Sequence, residues 1–143
     1  MNQIAVIYWS QTGNTEQMAN AICEGIKNTG TEAVLRNVSE ISAQEAARYD
    51  RIALGCPAMG AEVLEEAEFE PFFTELEGKL GGKRVALFGS YGWGDGQWMR
   101  DWAARTDSAG AILIPEDGLM IHETPDDDAL AACRALGESL AKA

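Results

Sequence analysis

Positive charge is scarce in this sequence. Eleven Lys and Arg stand against 23 Asp and Glu, a formal net charge of −12, with a sequence pI near 4.4. A surface of that sign repels polyphosphate, which excludes nucleic acid and anionic lipid as partners and favours docking against basic proteins. It also argues against a phosphate ligand, an expectation the loops below revise. Histidine is scarcer still. The single His122 cannot complete a zinc set with Cys23, Cys56 and Cys133, which form no CxxC pair. Nor does a Ser-His-Asp motif surround it, so it reads as a surface or packed residue. The cysteines, odd in number and widely spaced, read as buried structural thiols in a reducing cytoplasm, although Cys56 falls beside a candidate site. Long apolar runs are missing too. The longest, Ile4 to Trp9, falls far short of the about 18 residues of a membrane span. Met1-Asn2-Gln3 places no basic stretch ahead of it, so no signal peptide is expected.

What remains is an ordinary globular composition, 46% hydrophobic and 24% charged over 143 residues, enough for a single domain spanning 1–143. Strand and helix patterns alternate throughout. Ile4 to Trp9 is a continuous β-forming run, the mark of a strand buried on both faces. Met18, Ala19, Ile22, Cys23 and Ile26 then recur at helical spacing within Glu16 to Thr29, with Gly30 as the stop. A weaker strand, Glu32 to Asn37, precedes a helical stretch opened by Ser42 with Glu45 three residues on, a capping-box pattern. Arg51 to Gly55 reads as the third strand, Glu66 to Leu80 as an acidic helical segment interrupted by Pro71, and Arg84 to Gly89 as the fourth strand. Gln97 to Asp107 follows as a helix in which Trp98, Met99 and Trp102 pack against the sheet. A fifth strand, Ala111 to Pro115, resumes at Leu119 to Ile121, and Asp126 to Lys142 closes the chain as a helix with aspartates at its positive end. Successive βα units predict a parallel sheet with helices on both faces. In such sheets, ligands sit outside the carboxyl ends of the strands.

Three loops fall there. Ser10-Gln11-Thr12-Gly13-Asn14-Thr15 runs straight into a helix, and its hydroxyls, amides and backbone N–H groups form an anion cradle at the positive end of the helix dipole. It is neither GxxxxGK[ST] nor GxGxxG, and no lysine lies nearby, which argues against a nucleoside triphosphate with magnesium. The second loop, Cys56-Pro57-Ala58-Met59-Gly60-Ala61-Glu62, offers a polarizable thioether and a conformationally free glycine. In the third, Gly89-Ser90-Tyr91-Gly92-Trp93-Gly94-Asp95-Gly96, glycines let the backbone approach a ligand while Trp93 offers a flat face. A phosphate cradle at one end and a Met59/Trp93 slot at the other describe a phosphorylated planar cofactor, and FMN is the simplest fit. No metal site and no catalytic residue is expected.

These motifs resemble those of flavodoxins, specifically the short-chain, clostridial-type group, over essentially the whole chain. Thr12-Gly13-Asn14-Thr15 looks like the family's phosphate loop, Ala58-Met59-Gly60 with Glu62 its second loop, and Ala86 to Gly96 its third. The insertion that marks the long-chain group is missing. The resemblance implies a five-stranded doubly wound sheet of order 2-1-3-4-5. It also implies tightly held FMN and low-potential one-electron transfer between semiquinone and hydroquinone, to and from reductases and electron acceptors. Carried over, Ser10 to Thr15 bind the phosphate, Met59 and Trp93 flank the ring, and Glu62 accepts from the flavin N3–H. Pro57, Ala58, Gly60, Ser90, Tyr91, Gly92, Gly94 and Asp95 complete the binding loops. Glu62, Glu65, Glu66, Glu68 and Asp95 are close enough in sequence to place negative charge near the ring. A carrier that changes partners is best served as a monomer.

An FMN-dependent NAD(P)H quinone or nitro reductase is the competing reading, although Met59 and Trp93 would close both ring faces to a substrate. A receiver domain is excluded because Trp9-Ser10 and Cys56-Pro57 stand where its acidic pair and phosphoacceptor belong, and a low-molecular-weight phosphatase because CxxxxxR is absent. One departure from the family carries a prediction. The resemblance implies that the peptide after Gly60 flips on one-electron reduction, and a type II turn centred on Gly60-Ala61 requires φ > 0 at Ala61. Alanine is disfavoured there by about 1 kcal/mol relative to glycine. Ala61→Gly is therefore expected to raise the maximal semiquinone in a redox titration, and no rise refutes the turn argument.

Overall fold

Side chains leave the central strands in both directions, and that sets the layers. The computed structural model describes residues 3–60 and 62–143. In β1 (Gln3–Tyr8), Ile4, Val6 and Tyr8 are buried in the core on one face, and Ala5 and Ile7 in the core on the other. β2 (Glu32–Asn37), β3 (Arg51–Gly55) and β4 (Arg84–Tyr91) pair in parallel around it. The position beyond β4 is filled in two pieces. β5 (Ile112–Leu113) pairs with Arg84 and Val85, and β6 (Leu119–His122) with Phe88 to Tyr91. The sheet thus has the doubly wound order 2-1-3-4-5, with its fifth position split around Pro115, a residue that has no N–H to give a ladder. Ser90 and Tyr91, expected in a loop, are the last residues of β4, because β6 supplies Ile121 and His122 as their partners.

α1 (Asn14–Asn28) and α5 (Asp127–Lys142) cover the Val6 face, while α2 (Ala43–Ala46), α3 (Phe69–Glu77) and α4 (Gln97–Ser108) cover the Ile7 face. The Ser42/Glu45 capping box is present, but α2 is a single turn. Pro71 does not interrupt α3. It falls in the first turn, where a missing N–H removes no intrahelical bond. Trp98, Met99 and Trp102 are buried as expected, and Phe69 and Phe73 meet the Trp102 ring edge-on at 5.4 and 5.9 Å. All three cysteines are free and buried. Burial pushes the Cys23 and Cys133 thiols up to about 11 and raises that of Cys56 as well, so none has thiolate character at neutral pH. Among the described residues no helix is long and apolar enough to cross a membrane.

α1 and α5 approach each other through two glycines. A Cβ at Gly25 would run into the backbone of Arg134, and one at Gly137 into the carbonyl of Ile22. Gly25→Ala and Gly137→Ala are each expected to destabilise the protein by about 1–3 kcal/mol in urea unfolding. Gly78→Ala, whose Cβ meets open space at φ −72°, stays neutral or gains up to about 1 kcal/mol. Equal stability for all three variants would show that the close approach does not hold.

Candidate functional site

The loop after β1 is shaped by its own hydroxyls. Ser10 Oγ accepts from the backbone N–H groups of Gly13, at 3.1 Å, and Glu16, at 3.3 Å, and so ties the loop onto the first turn of α1. Gly13, the residue before α1, has φ 93°, a conformation glycine adopts without penalty. Thr12 Oγ1 lies 3.5 Å from the Asn14 N–H. Thr15 is buried, and its hydroxyl joins that of Ser90 at 3.0 Å while accepting from the Ser90 N–H at 3.4 Å. The cradle is therefore anchored to the end of β4, in the middle of the sheet.

The second loop leaves β3 along β4. Cys56 N–H donates to Phe88 O and Ala58 N–H to Ser90 O, both at 3.1 Å. Gly89 has to be glycine here, because a Cβ would strike the Cys56 carbonyl, the same oxygen that accepts from Trp98 Nε1 at 3.1 Å. Met59 and Val63 then exchange backbone bonds of 2.9 and 3.0 Å and close a tight loop with Gly60, at φ 50°, inside it. Glu62 carries φ 56°, unusual for a side chain of its size. Its Oε1 accepts from the N–H groups of Gly96, at 3.2 Å, and Gln97, at 3.1 Å, capping α4 and clamping the second loop to the third. Gly94, with φ 87°, leaves room for that carboxylate. Ala61 lies outside the described residues, so the turn argument made for it has no structural counterpart here.

Together these loops enclose a cleft of about 230 Å³. It is lined by Ser10, Gln11, Thr12, Asn14, Thr15, Pro57, Ala58, Met59, Ser90, Tyr91 and Gly92, residues the sequence had singled out. Glu123 and Thr124 line it too, and these were missed. They follow β6, so the strand-end rule applied to the fifth strand would have found them. Gly13, Gly60, Glu62, Trp93, Gly94 and Asp95 are not in the lining, and Trp93 stands 62% exposed on the third loop. Larger hollows of about 590 and 600 Å³ lie elsewhere, one at the amino ends of β1 and β3 and one beside α4 and β5.

Several carboxylates proposed to act on a ring have structural partners instead. Asp95 pairs with Arg100 at 3.1 Å on the exposed surface, and Glu68 accepts from Trp9 Nε1 at 3.3 Å. Glu65 is buried and caps the start of α3, accepting from Ala67 at 2.7 Å and from Glu68 and Phe69 at 2.8 Å each. Burial alone would raise its pKa, but the three N–H donors outweigh it and hold the carboxyl below its ordinary range.

The cleft meets the requirements of a phosphate monoester. Hydroxyls, an amide and a helix N-terminus supply donors, and no lysine or arginine is needed. A doubly wound α/β domain with an anion-accepting cleft at its carboxyl edge, beside a hairpin methionine and an exposed tryptophan, is a mononucleotide-binding protein by class. The flavodoxin family profile matches residues 6–137. A flavodoxin of Clostridium beijerinckii is 48% identical over 136 residues, covering 95% of this chain and 97% of its own. One of Megasphaera elsdenii is 46% identical over 140 residues, covering 98% and 99%. The solution structure of the two-electron reduced M. elsdenii protein superimposes with a TM-score of 0.88 over 98% of this chain and 99% of that one, at 47% identity. The chain belongs to the flavodoxin family, and to its short-chain, clostridial-type group. It is an FMN-binding electron carrier that serves redox enzymes, not an enzyme with its own substrate, and the reductase reading is not favoured.

Glu65→Gln is expected to cost about 1–2 kcal/mol at pH 7, because the amide keeps one acceptor and turns an N–H toward a backbone donor. The folded carboxyl lies below its ordinary value of 4.5, so its contribution is complete above that value and disappears as pH falls through the depressed one. Unfolding measured from pH 7 downward should therefore show the variant and the parent converging in acid. A constant gap would refute the capping role of the charge.

Proposed function

We propose that residues 1–143 act as one FMN-binding domain and as a low-potential, one-electron carrier. The observation that carries this is the cleft of neutral donors at the start of α1, below a loop that holds Trp93 out of the core. Bound FMN supplies the ring that takes up and releases electrons. In this reading Ser10, Gln11, Thr12, Asn14, Thr15 and the Gly13 N–H hold the phosphate. Pro57, Ala58, Ser90, Tyr91 and Gly92 line the way to the ring, and Met59 and Trp93 flank it. Gly60 and Gly94 give the two loops their turns, and Glu62 offers the ring N3–H an acceptor while it caps α4.

Negative charge around the ring makes each added electron less favourable, which lowers the potential. Glu62, Glu66 and Glu123 lie on or beside these loops, while Asp95 is already paired with Arg100; Glu66 and Glu123 are exposed, which makes their effect small and salt-dependent. The same acid field, part of a net charge of −12, steers the carrier toward basic surfaces on reductases and acceptors. A cytoplasmic monomer suits a carrier that exchanges partners.

Two measurements test the reading. Stepwise reduction of the FMN-loaded protein should show two resolved one-electron steps in the visible spectrum. Rapid NAD(P)H oxidation without an added reductase would favour the reductase instead, and failure to bind FMN would end the proposal. Thr12→Val removes an exposed hydroxyl of the cradle at little cost to folding. It should weaken FMN by about tenfold or more, with riboflavin affinity unchanged. Equal losses for both flavins would remove Thr12 from the phosphate site.

A further inference from the structure

The cleft that suits an anion also contains a residue of the wrong sign. Glu123 lines it together with Ser10, Thr12, Asn14 and Thr15. Its backbone is left-handed, with φ 59°, one of two non-glycine residues so placed among the described residues. A bond of 2.8 Å from its N–H to the Tyr91 carbonyl holds it there. A sparsely populated conformation kept at a binding cleft points to a positional requirement. Yet a bare carboxylate beside a phosphate ester opposes binding.

The compensating group is adjacent. His122 Nε2 lies 3.4 Å from Glu123 Oε1 and 3.3 Å from the Gly92 carbonyl. Its ring packs on Tyr91 with centroids 5.1 Å apart. The groups facing the imidazole are thus the Glu123 carboxylate next to it in the chain, the Tyr91 ring from β4 and the Gly92 carbonyl from the third loop. Tyr91, Gly92 and Glu123 all line the cleft.

We propose that His122 is a positioning residue that makes the affinity for the phosphate ester depend on pH. Protonated, it neutralises Glu123 and binding tightens; neutral, it leaves the carboxylate opposing the anion and binding weakens. This rests on the reading that the cleft holds FMN. The two side chains are 55% and 68% exposed, so solvent screens the pair and the effect is modest, about two- to fivefold in affinity.

The test uses the FMN dissociation constant of the parent, His122→Asn and Glu123→Gln, measured by flavin fluorescence from pH 5.5 to 8, the range in which an imidazole changes charge. The ester phosphate also titrates there, but free FMN is the same for every variant, so ratios between variants cancel the titration of the free ligand. The affinity of the parent relative to His122→Asn should be about two- to fivefold greater at pH 5.5 than at pH 8. Glu123→Gln should bind FMN more tightly than the parent at pH 8 by a similar factor. A ratio that does not change with pH overturns the proposal and leaves FMN binding standing. Absence of FMN binding overturns both.

Discussion

Burial of the central strands on both faces is the constraint from which the rest of this molecule follows. Ile4, Val6, Ala5 and Ile7 leave β1 no polar side chain between its ends, and β3 and β4 are filled in the same way. Polar chemistry is thereby confined to the strand ends. Because the strands are parallel, their carboxyl ends lie along one edge, and loops distant in sequence meet there. The Thr15–Ser90 hydroxyl pair is the clearest product: residues 75 apart in the chain join at 3.0 Å because β1 and β4 are separated by β3 alone.

That edge reconciles an acidic chain with an anionic ligand. Net charge acts over distances that water and salt screen, whereas N–H and hydroxyl dipoles act in contact. Part of the acid inventory is also turned inward. Glu40, Glu45, Glu62, Glu65 and Asp126 accept backbone N–H groups at the starts of helical segments, where negative charge is favourable. Those carboxylates hold elements in place while their charge stays part of the net −12. Net charge therefore constrains the partners more than the cofactor.

Legibility followed the range of the interaction. The bounds of Glu32–Asn37 and Arg51–Gly55, the Ser42 capping box and the aspartates at the start of the closing helix depend on neighbouring residues and were readable from local pattern. The residues of the cradle were readable for the same reason: a polar loop running directly into a helix is a local signal. Pro71 was misread because its effect depends on where α3 begins, and the side chain that sets this, Glu65, lies outside the helix. Ser90 and Tyr91 were placed in a loop because their strand partners come from β6.

By itself the sequence determined the alternation of strands and helices, the polar and glycine-rich loops at the strand ends, and the motifs that mark the flavodoxin family. Those properties are carried by residue type and short spacing, which the linear chain states directly. Tertiary structure alone decided that Glu62 clamps two loops, that Glu65 is a buried cap, and that Glu123 stands at the cleft with His122 beside it. The clamp and the placement of Glu123 depend on which distant backbone groups the fold brings within about 3 Å, and the burial of Glu65 on what packs over it. Position along the chain carries no record of that distance.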